Sequence, residues 1–126
     1  MANINTVLGS VESSKLGFTL SHEHICNGFG GSPFTFPEFL DRTATLERAV
    51  NDLSEAKKEG LDTIMDVAPH DQGRDITLQQ EVSKRSGVNI ITCTGTWLDV
   101  PRFFDGLNPD KIADLYIREI EEGIEG

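Results

Sequence analysis

Basic residues are scarce in this sequence. Against 21 Asp plus Glu there are only 11 Lys plus Arg, a formal net charge of −10, which leaves little to neutralise a phosphate backbone or an anionic membrane surface. Nucleic acid and membrane are therefore not expected partners. Long hydrophobic runs are missing too. Nothing approaches the roughly 20 apolar residues of a membrane span, and Met1 to Asn5 lacks the basic and apolar regions of a secretory leader. On that basis the chain reads as cytoplasmic. Cysteine is limited to Cys26 and Cys93, far apart and in no Cys-x-x-Cys spacing. This argues against a disulfide framework or a thiolate zinc site, and both thiols are expected to be reduced and buried.

What is present is globular material for one domain. The chain has 126 residues, 37% hydrophobic and 25% charged, with no internal repeat, low-complexity tract or Ser/Gly-rich linker, which excludes wholesale disorder. Gly17 to Ile25 predicts a strand, and period-two alternation puts Phe18, Leu20, His22 and His24 on one face. A long loop with Gly28, Gly30, Gly31, Pro33 and Pro37 runs from Cys26 to Arg42, and long loops inside compact domains are often functional. Leu46, Ala49, Val50, Leu53 and Ala56 then recur at helical spacing, with Thr43 or Thr45 available as N-cap and Gly60 just past the end. Thr63 to Ala68 predicts a second strand ending at Pro69, and Asp75 can cap a second helix that stops at Gly87. Val88 to Cys93 predicts a third strand. Asn108-Pro109 starts a third helix whose buried stripe would be Ile112, Leu115, Tyr116 and Ile120, ending at Gly123.

Strand and helix alternating three times is the pattern of βαβ units, which build a parallel sheet, so the fold class is α/β. Three such units make a poor free-standing domain, because parallel sheets are normally covered on both faces and protected at their edges. The pattern predicts the N-terminal three βα units of a (β/α)8 TIM barrel, a fold of about 250 residues. Residues 1–126 are then the N-terminal portion of a single domain. The alternative is a small open α/β sheet.

The feature that carries chemistry is His22-Glu23-His24, near the C-terminal end of the first strand. Two residues apart on a strand means the same face, so both imidazoles can converge on one metal while Glu23 points away. With three histidines in the chain, shuffling places some pair at this spacing roughly once in twenty tries, and a structural pair is the alternative reading.

The surrounding sequence adds to this. Gly17-Phe18-Thr19-Leu20-Ser21-His22-Glu23-His24-Ile25 resembles the first-strand signature of the bacterial phosphotriesterase family of the amidohydrolase superfamily. Pro37-Glu38-Phe39, Thr63-Ile64-Met65-Asp66-Val67, Gly73-Arg74-Asp75, Thr94-Gly95-Thr96-Trp97 and Ile117-Arg118-Glu119-Ile120 stand in that family's order at close to its spacing. The resemblance implies a (β/α)8 barrel with two divalent ions, commonly zinc, bridged by a hydroxide and a carboxylated lysine. It implies that His22 and His24 ligate the more buried metal. The other ligands of that family lie on its fourth, fifth, sixth and eighth strands, at positions outside this sequence. The implied reaction is attack of the bridging hydroxide on a small-molecule phosphotriester or lactone, and the implied assembly of a complete chain is a homodimer. The competing expectation is a non-catalytic fragment or binding module that keeps the fold's first units.

The same resemblance places Trp97 where an aromatic wall of the leaving-group pocket stands, although a lone Trp also packs into loop cores for its area. Leu98-Asp99-Val100-Pro101 continues the local pattern and leans toward organophosphate esters. Phe29, Phe34, Phe36 and Phe39 crowd the long loop, where they could line an apolar pocket, and are read as loop packing or subunit contact in preference to it. Gly73-Arg74-Asp75 reads as a tight turn, an ion-pairing arginine and a helix cap. His70 and Asp71 read as a solvated loop pair, and Asp66 as a residue facing the barrel interior with no nameable partner.

Overall fold

The computed structural model describes residues 2–125. It begins with an element that the hydrophobic pattern does not predict, an antiparallel hairpin of β1 (Asn3–Thr6) and β2 (Gly9–Glu12). Its only apolar cross-strand pair is Ile4 opposite Val11, too little to register as alternation. Thr6 closes the turn, its hydroxyl donating to the Gly9 carbonyl at 2.7 Å.

The first predicted strand is shorter than its apolar run, at Thr19–Glu23 (β3). The loop after it holds a single helical turn, α1 (Ser32–Thr35), started by Pro33. The next helix, α2 (Arg42–Lys58), starts earlier than Thr43 or Thr45 would allow as caps. Asp41 takes that role, its carboxylate accepting from the Ala44 N–H at 3.0 Å. β4 (Thr63–Asp66) follows, then α3 (Ile76–Ser86), capped by Asp75 and stopped by Gly87 in the left-handed region at φ 71°. β5 (Asn89–Thr92) and α4 (Pro109–Glu121), the latter capped by Asn108, complete the order.

β3, β4 and β5 form a parallel sheet in chain order, with Leu20, Ile64 and Ile90 in one cross-strand row. The protein is thus mixed α/β with a parallel sheet, as the alternation predicts. The core lies between this sheet and the helices α2 and α3. Ile64, Leu78, Val82, Val88 and Ile90 are fully buried there, and Leu46, Leu53 and Ala56 close it from α2. The Ser83 hydroxyl donates to the Val88 carbonyl and ties the end of α3 to the start of β5.

α4 departs from its predicted role. None of its residues is buried, and Leu115 and Ile120 are exposed. Its apolar stripe exists in sequence, but the described residues put no second layer against it. The helix is docked through Tyr116 and Glu119 instead. No helix among the described residues is long and apolar enough to cross a membrane.

Candidate functional site

β3 spends three steps between Leu20 and Glu23 where β4 spends two between Ile64 and Asp66. This extra residue is a β-bulge, and it re-aims side chains that strict alternation would keep on one face. Leu20 accordingly sits beside Ile64 and lines a crevice of about 410 Å³ with Ala49, Leu53 and Ala56 of α2. Phe18 is exposed. Strict alternation therefore does not hold along the strand, because Leu20, Glu23 and His24 all border this crevice. Glu23 opens onto the same crevice as His24 instead of pointing away from it.

The two imidazoles are side by side at the C-terminal end of β3, with ring centroids 5.3 Å apart and planes at 70°. Both residues are exposed. Two imidazoles sharing a tetrahedral zinc at about 2.0–2.1 Å per Zn–N bond place their centroids about 5 Å apart, so the observed separation fits a shared ion. Among the described residues no group of three or more His, Cys, Asp or Glu is arranged to hold a metal. The pair offers two donors, and a four-coordinate ion takes the rest from elsewhere.

Asp66 does not face an open interior. Its carboxylate accepts from the backbone N–H groups of Ile25 (3.3 Å) and Ala68 (3.0 Å) and from the Gln79 side chain on α3 (2.9 Å). Burial pushes its carboxyl above the usual range against the pull of these bonds. The arrangement pins the residue next to His24 to the middle of the sheet. Gln79 is one of the most buried polar residues and could be anticipated only as an unexplained polar position on an apolar helix face.

Gly73-Arg74-Asp75 plays the structural part expected of it. Arg74 donates to both Glu119 carboxylate oxygens, at 3.1 and 2.5 Å, and to the Cys93 carbonyl at 3.0 Å. Thr94 donates to the same carboxylate. Burial works to raise the Glu119 carboxyl, but the bonds from Arg74 and Thr94 outweigh it and hold it below the usual range. Asp75 behaves alike: burial is opposed and outweighed by hydrogen bonds from Arg42, the Leu78 N–H and Thr77. Gly73, at φ 91°, lies so close to Gly28 that a Cβ there would stand 3.0 Å from the Gly28 carbonyl oxygen. Backbone against backbone, the long loop is locked to the loop after β4, and Gly28 N–H donates to the Gln72 carbonyl at 3.0 Å.

Trp97 follows β5 on an exposed loop, its side chain unpacked at 60% exposure. Among the described residues no loop core covers its indole. His70 and Asp71 are not a solvated pair. The Asp71 carboxylate accepts from the Trp97 N–H, and His70 lies among Phe103, Phe104 and Tyr116. Phe29, Phe34 and Phe39 are largely exposed, although Phe29, Phe36 and Phe39 border one apolar recess of the long loop with Leu40. Cys26 is buried, whereas Cys93 is only half-buried. Burial raises both thiols, which disfavours the reactive thiolate.

A sequence profile of the phosphotriesterase family matches residues 2–126, and the chain belongs to that family. It is a family of hydrolases by the names its members carry. The chain is 36% identical over 119 residues to an aryldialkylphosphatase of Saccharolobus solfataricus, covering 93% of this chain and 38% of that protein. It is 33% identical over 134 residues to a phosphotriesterase homology protein of Mycobacterium tuberculosis strain H37Rv, covering 98% and 41%. A phospho-furanose lactonase of Mycoplasmopsis agalactiae is 28% identical over 131 residues, covering 97% and 36%. The chain thus spans about two-fifths of the length of these curated relatives.

Proposed function

We propose that this chain supplies the first βα units of a (β/α)8 metal-dependent hydrolase acting on phosphotriesters or lactones, with His22 and His24 as two ligands of a divalent ion, most simply zinc. The observation that carries the reading is the histidine pair at the C-terminal end of β3, 5.3 Å apart, in a chain of the phosphotriesterase family. Strand C-terminal ends are where barrel enzymes keep their catalytic groups. What a divalent ion would supply there is polarisation of a phosphoryl or carbonyl oxygen and acidification of the attacking water.

The chain's own residues position and select. The two imidazoles stand at the bulged C-terminal end of β3, and Asp66 fixes the backbone just beyond them. Trp97 offers an aromatic face that suits the apolar part of a neutral ester. Relatives named for an aryldialkylphosphatase and a phospho-furanose lactonase support both substrate classes. The described residues provide two imidazoles and no third donor, so hydrolysis by them alone is not expected. The full chain is read as a homodimer of a cytoplasmic enzyme.

The test is metal content and turnover of His22→Ala and His24→Ala in the full-length chain. Each is expected to lose the ion it helps hold and to fall by about 100-fold or more in kcat/KM, as loss of an electrostatic catalyst of this kind does. Full metal occupancy with unchanged turnover in both variants overturns the assignment.

A further inference from the structure

The loop between β5 and α4 carries Trp97, and it is held near both ends by consecutive residues of one turn. That turn is the 3-10 segment His70–Gln72 after β4, closed by the Gln72 N–H on the Pro69 carbonyl at 2.9 Å. From it the Asp71 carboxylate reaches the Trp97 N–H with both oxygens, at 3.1 and 3.2 Å. His70 stacks on Tyr116 and meets the Phe103 ring at 5.3 Å, fixing the loop's far end. Between these anchors Leu98 and Val100 are exposed. Gly28, bonded to Gln72, locks the turn in place from its other side.

A side chain on an exposed loop can discriminate between ligands only if its backbone occupies one position, since disorder averages out any pocket wall. The indole of Trp97 is largely exposed, so packing does little to hold it. Its main chain is instead held by a charge-assisted hydrogen bond, the stronger kind. We propose that Asp71 is a positioning residue for Trp97, and through it a determinant of which esters or lactones fit the mouth of the site. The second half of this statement rests on the function proposed above, and the first half does not.

The experiment separates the two. In the full-length chain labelled with 5-fluorotryptophan, the Trp97 resonance is assigned by its loss in Trp97→Phe and followed by 19F NMR. Asp71→Ala is expected to shift or broaden that resonance while metal content stays at the parent level. Asp71→Asn, which keeps a carbonyl acceptor, is expected to restore most of the parent signal. With two phosphotriesters differing only in leaving-group size, the ratio of their kcat/KM values is expected to change about tenfold in Asp71→Ala and little in Asp71→Asn. An unmoved Trp97 resonance in Asp71→Ala overturns the proposal. If Asp71→Ala does not fold, Asp71→Ser is read in the same way, and failure of both to fold overturns it by making Asp71 a residue of the fold. A resonance that moves, beside a Trp97→Phe variant of unchanged selectivity, upholds the positioning of Trp97 and removes the pocket-wall reading.

Discussion

β3 and β4 are neighbours in one sheet, yet they have opposite relations to solvent. Ile64 on β4 is 1% exposed, with Thr63 and Asp66 equally enclosed, whereas Leu20, its partner on β3, is 37% exposed. β4 is sealed by β5, α3 and the Asp66 hydrogen bonds. Among the described residues β3 lies at the edge of the sheet, and the two histidines stand at its bulged C-terminal end. The difference teaches a division of labour. The histidine-bearing strand is tied to the buried strand beside it, through Asp66 and the loop after β4.

The comparison can be broken most severely at the buried centre. Arg74 is 4% exposed in its side chain, so Arg74→Ala leaves Glu119 without its cation and is expected to cost about 3–5 kcal/mol in denaturant unfolding. A loss below about 1 kcal/mol would show that α4 is not docked through this pair. Ile64→Ala should cost about 3 kcal/mol and Leu20→Ala below about 1 kcal/mol, a contrast between paired residues that comes from burial alone. Equal losses from the two would mean that β3 is as enclosed as β4. A smaller effect appears in pH dependence. The Glu119 carboxyl is held below its ordinary value, so the unfolded chain binds the proton more readily. Its contribution is fully present above the ordinary carboxylate range and is lost as pH falls through that range and the lowered value. Glu119→Gln should flatten the acid limb of stability against pH by at most about 1.4 kcal/mol per pH unit, and an unchanged limb would contradict it. The smallest effect belongs to the exposed Arg85–Glu47 pair at 2.7 Å. Glu47→Ala should leave the melting temperature within replicate scatter, with any difference fading as salt is added.

The three strand–helix alternations are legible in the sequence because each of the three helices stops at or just before a glycine and β4 and β5 are short β-branched runs. Asn108-Pro109 also announces its helix plainly. The β1–β2 hairpin is not legible, since one Ile–Val pair among polar residues carries no period. Asp41 could not be ranked above Thr43 or Thr45 as the cap, because all three residue types serve and only the chain's path into α2 decides. The spacing of His22 and His24 is visible in sequence, and so is their proximity. The bulge that redirects Leu20 and Glu23 is not, because it comes from pairing with β4. Asp71 and His70 look like loop polars for the same reason. Their partners lie 26 and 46 residues further along, at Trp97 and Tyr116.

The contact between Gly28 and Gly73 has a practical consequence for engineering. A Cβ at Gly73 meets the Gly28 backbone at 3.0 Å, and one at Gly30 meets the His70 carbonyl oxygen at 2.8 Å, while Gly31 has open space around it. The long loop is therefore anchored at its root and unencumbered at its crest. A combinatorial library drawn across the crest, from Ser32 to Phe39, can explore new shapes while Gly31, at φ 80°, and the root glycines are kept to preserve the frame.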